Sequence, residues 1–175
     1  MKTISLDLFE YDELPTEAAK EKAVEWFADG YPDYNWWEST YDDAKTVGIM
    51  IKEFDIDRPN YIKADADGRE TARLIIENHG PDCDTYHLAQ QFNLDYDNLV
   101  EKYSDGVKTD QVHEDNEDEF DQEADELETE FNRAIAEEYL SILRKEYEYL
   151  TSKESIEETI RINEYTFTAE GERHD

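Results

Sequence analysis

The chain has 175 residues, 38% of them apolar and including 12 Tyr, 7 Phe and 3 Trp, enough to fill the core of one ordinary domain. Against 17 Lys and Arg stand 48 Asp and Glu, a formal charge of -31. This excludes nucleic acid and anionic membranes as direct ligands, because both are bound by cations that neutralise phosphate.

A single cysteine, Cys83, excludes an internal disulfide, and no apolar run reaches the length of about 20 residues that spans a bilayer. Met1-Lys2-Thr3 leads into an alternating segment and not into a signal-peptide core, so a cytoplasmic protein is expected.

Ile4, Leu6 and Leu8 alternate with polar residues and predict a half-buried strand ending near Asp12. From Thr16 the period becomes helical: Ala19, Ala23, Trp26 and Phe27 share a face, and Gly30 with Pro32 ends the run. A second stripe of Tyr34, Trp37, Tyr41, Ala44 and Val47 predicts a helix over 33–47, with Trp37 and Tyr41 in the core and Trp36 turned about 100° away as an exposed ring. Ile49, Ile51, Phe54 and Ile56, the turn residues Asp57-Arg58-Pro59-Asn60, and Tyr61-Ile62-Lys63-Ala64 predict a β-hairpin over 49–64. Asp67-Gly68 opens a helix that Gly80-Pro81 ends. Shorter helices are expected at 84–92 and 95–103.

No Lys or Arg occurs between Lys108 and Arg133, and 11 of the 17 residues from Glu114 to Glu130 are acidic. Runs of like charge stay solvated unless an apolar stripe holds them. Phe120, Ala124, Leu127, Phe131, Ile135 and Ile142 supply that stripe, so a helix is expected from about residue 119 to Tyr149; Glu138 falls inside the stripe and suggests either a bend or a drift of the stripe toward Tyr139. Residues 110–118 are open between helix and solvated chain, and 106–118 reads as a mobile acidic loop. A short helix over 153–162, capped by Thr151 or Ser152, and a closing strand over 165–169 complete the chain.

Sites of known chemistry are scarce. Asp65-Ala66-Asp67-Gly68 suggests a calcium loop, but with Gly68 in sixth position the first and twelfth positions fall on Lys63 and Leu74, so a turn and helix cap is the better reading. His79, Cys83 and His87 are spaced by four like zinc ligands, yet Gly80-Pro81 breaks the helix between them. No phosphate loop or nucleophile elbow is present, and no catalytic residue, cofactor or metal is expected. Tyr34, Trp36, Trp37 and Tyr41 read as core packing, except that Trp36 is a candidate partner contact.

With the stripe inward, the long helix turns Asp115, Asp118, Asp125 and Glu126 outward, with Glu117, Asp121 and Glu128 on one shoulder. Helix neighbours three or four apart lie about 5–6 Å apart, on the order of phosphate separations along a nucleic-acid strand. These residues and Trp36 form the candidate partner-binding set, and the partner is a basic nucleic-acid-binding protein or complex. A homodimer is left open.

Leu8-Phe9-Glu10-Tyr11-Asp12-Glu13-Leu14-Pro15-Thr16-Glu17, Trp36-Trp37-Glu38-Ser39-Thr40-Tyr41-Asp42-Asp43 and the C-terminal Asn163-Glu164-Tyr165-Thr166-Phe167-Thr168 resemble a family of small acidic phage and prophage proteins. Some relatives are labelled antitoxin or antirestriction. The resemblance implies a phage origin and action in the host cytoplasm. Joined to the phosphate-like face, it leads to the expectation of an inhibitor of host defence, such as a CRISPR effector or restriction enzyme. The alternative is an antitoxin-like or regulatory protein that sequesters a basic partner without mimicking DNA. The expected fold is a single α+β domain over 1–175. Its small antiparallel sheet takes the N-terminal strand, the 49–64 hairpin and the C-terminal strand, covered by about five helices, one of them long and acidic.

Overall fold

The computed structural model describes residues 6–104 and 117–174, so residue 105–116 readings, Asp115 included, and the start of the first strand lie outside the described residues. The elements run β1 (Phe9–Glu10), a 3-10 turn (Tyr11–Glu13), α1 (Glu17–Ala28), α2 (Glu38–Thr46), β2 (Met50–Asp55), β3 (Tyr61–Asp65), α3 (Gly68–Asn78), α4 (Asp84–Tyr103), α5 (Glu117–Leu150), α6 (Lys153–Ile162) and β4 (Thr166–Phe167). This is the expected α+β class. The strands pair as two separate antiparallel ladders, β1 with β4 and β2 with β3, where one sheet was expected.

The separation follows the packing, since the chain divides into two compact units, residues 1–36 with 145–175 and residues 37–144. Neither boundary between the units has linker composition: one falls between Trp36 and Trp37, the other inside α5.

In the first unit the side chain of Thr16 accepts from the Ala19 amide and caps α1, and Ser152 caps α6 in the same way through Ser155. The two helices bury Ala19, Ala23, Ile156 and Ile160 with Tyr11, Leu14 and Phe167. Arg161 Nε donates to Asp12 Oδ1 at 2.9 Å, and Lys22 Nζ to Glu172 Oε1 at 2.8 Å, joining the two ends of the chain. Gly171 has φ 79°, and a methyl group there would fall on the Ala19 carbonyl. The first strand comes later than expected: Leu6 and Leu8 are exposed, and pairing is confined to Phe9 with Phe167 and Glu10 with Thr166.

The second unit centres on Val47, Ile49, Ile75, Phe92, Phe131, Ile135 and Tyr139. α2 ends in a Schellman motif: the Ile49 amide donates to the Ala44 carbonyl at 2.9 Å and the Gly48 amide to Lys45 at 3.2 Å, with Gly48 at φ 78°. α2 begins at Glu38, not residue 33, and Trp37 precedes it. Trp37 and Tyr41 are therefore half-buried rather than core, both edge-on to Phe54. The helices expected at 84–92 and 95–103 are one. No glycine or proline interrupts them, Gln91 donates to Asp95 across the expected gap at 2.9 Å, and Leu94 between them points outward. The stripe of α5 does drift, with Tyr139 fully buried and Glu138 partly so.

Candidate acidic interaction face

α5 forms despite its charge because the acidic residues of its first turn, Glu117, Asp118 and Glu119, face the positive end of the helix dipole, and because its apolar face is covered. Ala124 packs with Leu99 and Tyr103 of α4, Phe120 lies edge-on to Tyr96 and Tyr103, and Phe131 stacks on Phe92 with centroids 4.5 Å apart. Three points of anchorage on α4 fix which side of the helix looks outward.

On that outer side Glu117, Asp118, Asp121, Asp125 and Glu126 are all exposed. None of the five makes an ion pair among the described residues; the one contact is Gln122 Nε2 donating to Glu126 at 3.2 Å. Glu119 and Glu130, not singled out from the sequence, are exposed on the far shoulder. Their position at 100° steps beyond Glu126 was the available signal.

The inner acids differ. Glu123 accepts from Lys102 Nζ at 2.6 Å and from the Tyr103 hydroxyl at 2.8 Å, and the Lys102 hydrogen bond, then that of Tyr103, holds its carboxyl below the usual range. Glu128 is not an outward residue: it is half-buried against the first residue of α3, where a methyl group on Gly68 would come within 2.9 Å of its Cγ. Burial, then the Asp67 charge, raises its carboxyl, against a lowering by Arg69. Glu128 therefore leaves the candidate set. Trp36 belongs to the other unit, half-buried with its ring 5.3 Å from that of Tyr147, and the acidic row stands without it.

The remaining candidates are resolved locally. Asp67 caps α3, its side chain accepting from the Glu70 amide. His79 follows α3 and Cys83 precedes α4; His79 Nδ1 lies 2.7 Å from Thr85 Oγ1 and Nε2 3.6 Å from Asp43 Oδ1. Asp43 Oδ2 accepts from the buried Tyr139 hydroxyl at 2.8 Å, and burial, then this carboxylate, pushes the phenol far up. No three His, Cys, Asp or Glu side chains among the described residues are grouped to hold a metal ion, and no helix among them is long and apolar enough to cross a membrane.

No protein-family model, curated protein or solved structure matches the chain.

Proposed function

We propose that the protein is a phage-encoded inhibitor that occupies the basic nucleic-acid-binding surface of a host defence complex, acting in the host cytoplasm by binding and not by catalysis. The supporting observation is the outer row of α5, where exposed carboxylates lack cationic partners among the described residues while Glu123, on the inner side of the same helix, is paired. A row held rigid by the packing of Phe120, Ala124 and Phe131 presents charge at phosphate-like intervals without an ordering cost on binding. Its attraction to a basic cleft is fast and salt-dependent.

The test is a charge reversal. Asp118→Lys with Asp125→Lys and Glu126→Lys leaves the inward stripe intact; relief of self-repulsion offsets the cost of a cation at the helix N-terminus at Asp118, so stability should hold, yet inhibition should be abolished, because like charges across an interface cost several kcal/mol. Reversing Glu21, Glu25 and Glu158, exposed residues of the first unit, changes the net charge equally and should leave inhibition intact. Equal loss in both variants reduces the effect to bulk charge, and no loss in either refutes the face. A partner held with its DNA still bound would point instead to antitoxin-like sequestration.

A further inference from the structure

The second half of α5 borders a different surface. A groove of about 850 Å³ runs between α5 and β3, with residues 60–65 along one wall and one face of α5 from Asn132 to Arg144 along the other. We propose that this groove docks an extended acidic segment of a partner protein, which adds to the β2–β3 hairpin as a third strand.

The strand edge is the first reason. β3 pairs on one side with β2, and no backbone hydrogen bond joins residues 61–65 to another element on the other side among the described residues. An open edge presents alternate N–H and C=O groups to an added strand. Both the core-facing Ile62 and Ala64 and the outward Tyr61, Lys63 and Asp65 border the groove, so it lies along the edge and not over one face.

The dimensions agree. Eleven steps of helix from Arg133 to Arg144 rise about 16 Å, as do five extended steps of chain from Asn60 to Asp65. At one end Asn132 Nδ2 donates to the Ala66 carbonyl at 3.2 Å, tying α5 to the chain just after β3.

Charge selects the occupant. In a chain where acids outnumber bases 48 to 17, the groove is lined by four basic side chains against two acidic ones. Asp65 is taken up by Lys52, and Lys63 by Glu53 across the hairpin at 2.6 Å. Among the groups without an ion pair in the described residues, Arg133 and Arg144 outnumber Glu137 two to one, and the two guanidiniums are spaced for carboxylates about five residues apart on an extended peptide. A second copy docked by the same edge would set these cations against themselves, and a nucleic acid would meet the field of the whole chain without using the strand edge.

The test uses a fluorescein-labelled peptide of alternating Glu and Val, eight residues long, titrated by anisotropy at about 150 mM salt, where the Debye length of about 8 Å screens the distant acids. Wild-type protein should bind it. Arg133→Glu with Arg144→Glu should weaken binding at least tenfold, and N-methylation of alternate peptide amides should abolish binding to unaltered protein, an arm that needs no variant to fold. The reversal of Asp118, Asp125 and Glu126 should keep the peptide affinity, so failure here is distinguishable from failure of the acidic face. Overturning results are no binding by wild type, unchanged affinity of the double variant or of the N-methylated peptide, equal binding of a Lys-Val peptide, or a dimer in sedimentation that the double variant dissolves.

Discussion

The two halves of α5 share one apolar stripe and carry opposite surfaces. From Glu117 to Glu130 the helix shows water a row of carboxylates without cationic partners among the described residues, whereas from Asn132 to Arg144 it borders a groove in which bases outnumber acids. A charge of -31 is a sum over the chain, and it describes neither surface. What decides the character of each is where the charges fall relative to the buried stripe and which element packs beside it: α4 under the first half, β3 beside the second.

The largest blow to both halves at once is Phe131→Ala. Phe131 is buried between them and stacked on Phe92, and its truncation should cost about 3–5 kcal/mol in urea unfolding. Loss of inhibition and of peptide binding should follow together; if only one is lost, the halves are supported separately.

Trp37→Ala should do less. The indole is half-buried against Phe54, so the expected loss is about 1–2 kcal/mol, well short of that for a buried core ring. Tyr139→Phe keeps the ring and removes one hydrogen bond to Asp43, whose side chain is half exposed, and should cost about 1 kcal/mol.

The smallest effects are the most discriminating, because they compare two acids of the same half with opposite shifts. The Glu123 carboxyl is lowered by Lys102, so its contribution is present above the unfolded value of about 4.3 and is lost as pH falls through the folded one. The Glu128 carboxyl is raised by burial, so the folded state holds the proton longer and stability falls as pH rises from about 4.3 through the folded value. At pH 7 Glu123→Gln should lower the urea midpoint and Glu128→Gln should raise it, and below pH 4 both differences should shrink. Shifts of the same sign at pH 7 would mean that the two carboxylates are not differently held.

Much of this was legible locally. The caps at Thr16, Asp67 and Ser152, the hairpin, and the stripe of α5 with its drift to Tyr139 each depend on residues within a few turns of one another. The outward row followed from the same stripe. What the sequence hid is set by partners distant along the chain: Lys102 meets Glu123 across 21 residues, Gly68 takes in Glu128, and Ala66 meets Asn132 across 66. Aromatic periodicity overstated α2, since Trp36 and Trp37 lie in the turn before it and half-bury against Tyr147 and Phe54. The β3 groove was invisible for the same reason as the Glu128 contact: neither wall is unusual by itself.

In the proposed function the outer row of α5 stands in for a phosphate backbone. The direct measurement holds the protein on a support, loads the host partner that inhibition identifies, and adds short duplex DNA while following both components. Release of the partner by DNA, with no complex containing all three and a steep loss of affinity as salt rises, is the predicted result. A stable complex of protein, partner and DNA, or an affinity indifferent to salt, would contradict it.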